Sequence, residues 1–117
     1  MVLVDPLRLE DDVLLALFRD ISLPHQIVNA EIYPIFLVGE DMRYVFMLVV
    51  EPEEKLERGI ITRIGKHYYA FVEIPEDSNE YTGYLKTDVK PFSKIRVYYA
   101  DDKDTLHEML RDEGIEK

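Results

Sequence analysis

The sequence predicts an α+β fold, one domain of 117 residues in which three helices accompany a mostly antiparallel sheet of four to five strands. Three observations lead there. First, YVFMLVV (44–50) places seven apolar or aromatic residues in a row. Alternation along a strand puts Tyr44, Phe46, Leu48 and Val50 on one face and Val45, Met47 and Val49 on the other. A sheet with one wet face would show a polar residue at every second position, so this strand is expected in the middle of a sheet with a layer on each side. Second, HYYAFVEI (67–74) has the β-branched and aromatic content of a strand. Third, apolar residues recur at intervals of three and four near both ends of the chain, which is helical spacing. At this length roughly 65% of the unfolded surface can be buried, enough for a core without disulfides or a structural metal.

The elements follow in order. Asp5-Pro6 reads as a helix cap followed by a proline at the first helical position. Leu14, Leu17, Phe18 and Ile21 then form one stripe, and Glu10, Asp11 and Asp12 lie near its start, where the helix dipole favours acids. Val13, Leu15 and Ala16 widen the stripe until it covers much of the helix, so part of it is ordinary core and part, around Leu14 and Phe18, is a candidate oligomer face. Pro24 ends the helix. EIYPIFLV (31–38) reads as a strand, placed at an edge or bulged because Pro34 has no ladder donor. Gly39-Glu40-Asp41 reads as a hairpin turn leading into the 44–50 strand.

Pro52-Glu53-Glu54 opens a second helix through residue 64. Leu56, Ile60, Ile61 and Ile64 share a face, Glu54 and Arg58 are four apart, and Gly65 is the stop. Gly59 in its middle costs about 1 kcal/mol relative to alanine. The rival reading ends a short helix at Gly59 and makes 60–64 and 67–74 a hairpin around Gly65-Lys66; the longer helix is preferred on its apolar spacing. In the 67–74 strand, Tyr68, Ala70, Val72 and Ile74 face one way and His67, Tyr69, Phe71 and Glu73 the other. Residues 75–92 are rich in turn formers, with a short strand expected around 81–86. Residues 94–100 are the last strand. A final helix follows, with Thr105 and Glu108 at capping-box spacing, Leu106, Met109 and Leu110 as its stripe, and frayed final residues. The order, α-β-β-α-β-(β)-β-α, is similar to that of roadblock and longin-type modules, which are non-catalytic dimerising adaptors; the similarity is one of element order, and no motif carries it.

Chemistry leaves few marks. Without cysteine there is no disulfide, zinc-thiolate site or thiol nucleophile. His25, His67 and His107 form no metal-ligand pair by spacing. His67 is the best candidate for a base, with Glu73 on its face of the strand, but the preferred reading is a strand-end histidine packed on Tyr69. Asp101, Asp102 and Asp104 lack the glycine and the glutamate of a calcium loop and are read as caps of the last helix. The glycines at 39, 59, 65, 83 and 114 make no phosphate loop, and Ser22, Ser78 and Ser93 sit in no nucleophile elbow. No cofactor or metal is expected.

Charge is the remaining pattern. A net charge of −10 disfavours nucleic acid and anionic membranes as partners, because phosphate would be repelled. Residues 86–96 are the exception, with Lys86, Lys90, Lys94 and Arg96 against Asp88. Lysines of this kind commonly guard a sheet edge against pairing; Tyr81 and Tyr84 beside them are candidate interface anchors. The N-terminal residues have no basic-then-apolar signal pattern and no apolar run reaches the ~20 residues of a membrane helix, so a soluble cytoplasmic protein is expected. One glutamine, two asparagines and abundant charge match thermophile usage.

The expected function is that of a small acidic, non-enzymatic interaction or adaptor module whose partner is a protein, most simply a second copy. Its candidate interface residues are Leu14, Phe18, Val45, Met47, Val49, Tyr81 and Tyr84. A small-ligand-binding or enzymatic domain with an aromatic pocket at His67, Tyr69 and Tyr99 is the first alternative. An acidic mimic of nucleic acid, binding a basic protein in a salt-sensitive way, is the second.

Overall fold

The computed structural model describes residues 2–4, 9–21, 30–33, 47–75, 83–86 and 94–117. Among them are the strands β1 (Val2–Val4), β2 (Ala30–Tyr33), β3 (Met47–Val50), β4 (Glu54–Leu56), β5 (Gly59–Ile64), β6 (His67–Glu73), β7 (Leu85–Lys86) and β8 (Ile95–Ala100), and the helices α1 (Asp11–Ile21) and α2 (Lys103–Asp112). The fold is α+β. Its strands form two antiparallel sheets, ordered β2-β3-β1-β7 and β4-β5-β6-β8.

Helix α1 begins at Asp11, with Leu9 and Glu10 outside it, rather than at Pro6. The Glu10 carbonyl accepts the first helical hydrogen bond, from Leu14 N at 2.9 Å. The residues before it are used differently from the prediction: Val2–Val4 form a strand that pairs with β3 on one side and β7 on the other. Val13, Ala16, Leu17 and Asp20, spaced three and four apart, are the buried stripe of α1. Pro24, Pro34 and the turn at 39–41 lie outside the described residues.

Strand β3 runs between β2 and β1, which puts the described part of the 44–50 segment inside its sheet. Leu48 and Val50 are fully buried, whereas Val49, on the opposite face, is half-buried. Val45 lies outside the described residues.

The predicted second helix is corrected. Residues 54–64 are β4 and β5, and the hairpin of the rival reading, closed by Gly65-Lys66, is the one formed. Three β-branched residues in a row, Ile60, Ile61 and Thr62, favour the extended chain. The shared face imagined for a helix separates on the pleat: Ile60 and Ile64 enter one core and Ile61 another. Gly59 has a specific use here. It pairs with Val72, and a Cβ at this position would collide with the backbone oxygen of Phe71. Gly65 takes φ +59°, the left-handed conformation that a two-residue hairpin loop demands. With the middle helix gone, two helices remain among the described residues, and the similarity of element order to roadblock and longin-type modules goes with it.

Strand β6 is the two-sided element. Tyr69, Ala70, Phe71 and Val72 are all fully buried. Tyr69 and Phe71 enter a core shared with α1 and the first sheet, which includes Leu17, Leu48, Val50, Leu85, Ile95 and Val97. Ala70 and Val72 enter a second core with Ile61, Ala100, Leu106 and Leu110, covered by α2. The cap of α2 is Asp102, whose carboxylate accepts from Thr105 N at 2.7 Å, so Thr105 is the recipient of the cap rather than the cap itself. The chain beyond α2 closes in a defined turn. Gly114 (φ +75°) donates to Arg111 O, and Ile115 donates to Leu110 O at 2.9 Å, the paired bonds of a Schellman turn, with Ile115 packed on the second core.

Candidate functional site

The most unusual side chain is Asp20. It sits on the buried stripe of α1 and is fully buried, a position where a carboxylate must find partners or destabilise the fold. Two come from β6. Tyr69 donates its hydroxyl to Asp20 Oδ2 at 2.6 Å, and His67 Nδ1 lies 2.7 Å from the same oxygen. Asp20 Oδ1 is buried and has no hydrogen-bond partner among the described residues. Gly65 makes the approach possible, since a Cβ there would come within 2.9 Å of Asp20 Cβ. The Tyr69 phenol is driven far above its ordinary range, first by burial and then by the hydrogen bond and charge of Asp20, so it acts as a neutral donor.

His67 connects this buried carboxylate to the surface. Its Nε2 lies 3.2 Å from Asp101 Oδ1, and the Asp101 side chain is 91% exposed while that of His67 is 15% exposed. Aromatic rings fix the imidazole from the sides: Tyr99 meets it edge-on at 5.5 Å and Tyr69 at 6.3 Å, and the two tyrosines stack at 5.8 Å. Register explains the stacking, because Tyr69 and Tyr99 are direct cross-strand partners on β6 and β8.

The arrangement joins α1, β6, β8 and the approach to α2. A buried carboxylate on Nδ1 is the way an imidazole is oriented for acid–base work. Here, however, Nε2 faces a second carboxylate and not a hydroxyl. The two carboxylates lie on different ring nitrogens, and among the described residues no three histidine or acidic side chains converge on one metal position.

Sequence reasoning named His67, Tyr69 and Tyr99, and the fold makes them neighbours; Tyr69 is closed off from solvent. Glu73, offered as the partner of His67, is at the far end of β6 opposite Ile95. Asp20 was missed, although one signal marks it: an acid three residues beyond Leu17 on an otherwise apolar stripe. Of the interface candidates, Leu14 and Phe18 are partly buried against the first core, and between them Leu15 is 65% exposed. Val49 is half-buried, Met47 is the first residue of β3, and Tyr84 is half-buried and bridges Lys94. Val45 and Tyr81 lie outside the described residues.

Comparison with protein-family models, with curated proteins and with solved structures finds no match to this chain. Among the described residues, no helix is long and apolar enough to cross a membrane.

Proposed function

We propose that the chain is a small acidic protein–protein interaction module that works as a homodimer. The observation that carries this reading is the outer face of the first sheet. On its inner face Val4, Leu48, Val50 and Leu85 are fully buried. On its outer face Leu3 and Val49 are direct partners across the β1–β3 ladder, and both remain half-buried. The same rung continues to Lys86 on β7, which is exposed. A two-fold axis through the centre of the rung sets the apolar pair of one copy over that of the other, which is the self-complementarity an isologous interface needs. Leu15, with Leu14 and Phe18 beside it, adds an apolar edge on α1. In this reading the Asp20–His67–Tyr69 cluster is structural: it fixes the helix that carries those residues onto the second sheet.

Sedimentation equilibrium tests the reading. The wild-type protein is expected at about twice its 13.8 kDa chain mass, and Val49→Lys is expected to weaken association at least tenfold, about 1.4 kcal/mol, with unchanged circular dichroism. A wild-type protein that stays at the mass of one chain across the concentration range contradicts it.

A further inference from the structure

A second histidine cluster stands on the far side of the β4-β5-β6-β8 sheet. His107, on α2, has both ring nitrogens against carboxylates. Nδ1 lies 2.6 and 2.9 Å from the two oxygens of Glu116, beyond the end of the helix, and Nε2 lies 3.1 Å from Glu54 on β4. The three residues come from three separate segments, and the ring is the joint between them.

We propose that His107 is a proton-dependent latch that holds residues 113–117 against the second core, and that loss of its proton releases them. The chemistry of the ring carries the inference. An imidazolium donates from both nitrogens, so it satisfies Glu54 and Glu116 together. A neutral imidazole has one N–H and one lone pair, and in this geometry the lone pair must point at a carboxylate. One of the two contacts then turns repulsive. The surroundings offer little compensation. Along α2 itself, Asp104 and Arg111 lie one turn to either side of His107. The nearby Lys103 is occupied by Glu53, at 3.8 Å, and by the face of the Tyr68 ring.

The hydrogen bond that the ring donates to Glu116 is the largest influence on it and holds its pKa above the 6.5 of a free imidazole; burial opposes this, and Glu54 supports it. The sign follows. A folded-state pKa above the unfolded one stabilises the fold fully below about pH 6.5 and loses that contribution as pH rises through the folded value. The segment released includes the Schellman turn and the residue after it; the amides of Ile115 and Glu116 both donate to Leu110 O, at 2.9 and 3.2 Å. Its opening would bare the Leu110 side of the second core, where Ile115 now packs.

Amide exchange at Ile115 and Glu116 tests the latch, read as protection factors in the wild type and in His107→Gln at pH 5.5 and pH 8.5. Protection in the wild type is expected to fall roughly two- to fivefold at the higher pH, the size expected for charge pairs open to solvent. The variant is expected to show the lower protection at both pH values. Equal protection at the two pH values in the wild type overturns the proposal, and so does a variant whose pH dependence matches the wild type. The His107 ring proton, followed by NMR, must also titrate above the midpoint of a free imidazole; a midpoint below it overturns the proposal as well.

Discussion

Replacing His67 with alanine is expected to destabilise the fold by about 3 kcal/mol or more, the cost of leaving a buried carboxyl group short of a hydrogen-bond partner. Asp20 is fully buried, and one of its oxygens has no hydrogen-bond partner among the described residues. Among the described residues, loss of His67 would leave Tyr69 as its remaining donor. The reverse substitution is milder. Asp20→Ala strands a neutral phenol hydroxyl and a histidine that still reaches Asp101, which is expected to cost about 1–3 kcal/mol. The order of the two has a further consequence. In the double variant the uncompensated carboxylate is gone, so it is expected to be more stable than His67→Ala alone, a strongly non-additive pair. Urea denaturation of the three proteins, compared at constant m-value, checks this. Additive losses would mean that Asp20 and His67 do not act as a unit.

Phe71→Ala is expected to cost a similar amount, about 3–5 kcal/mol, for a different reason. Phe71 is fully buried in the middle of β6, opposite Ile60 on one neighbour and Val97 on the other. Two paired strands and the first core hold the backbone in place, so the cavity left by the ring has little freedom to collapse. Leu15→Ala is the control. That side chain is 65% exposed, and its loss is expected to change the stability of a single chain by less than about 0.5 kcal/mol. A loss at Phe71 as small as that at Leu15 would show that the first core closes around the gap.

Much of this architecture was legible where one residue type dominates a short window. The 67–74 strand and the division of its side chains between two faces could be read from alternation alone, and the fold assigns those faces to two separate cores. The last helix was legible from Leu106 and Leu110, together with a run of aspartates to cap it. Residues 52–64 were misread because Leu56, Ile60, Ile61 and Ile64 satisfy a helical period as well as a pleat. Pairing with β6, which local spacing cannot register, decides between them. Strand β1 was overlooked for a related reason: three residues carry no period, and they become a strand only because β3 and β7 lie on either side. The Asp20–His67 contact spans 47 positions, and spacing along the chain says nothing about that distance. What the sequence did hold was the anomaly of an acid on an apolar stripe.

Native-state amide exchange, resolved residue by residue, tests the two-sided position of β6 most directly. The amides of Tyr69, Ala70, Phe71 and Val72 lie between two paired strands and beneath two cores. They are expected to exchange only through global unfolding, with free energies equal to the stability measured by denaturant. Exchange of these four through a smaller opening, ahead of the amides of α1 or β1, would contradict the placement of β6 as the element that both cores share.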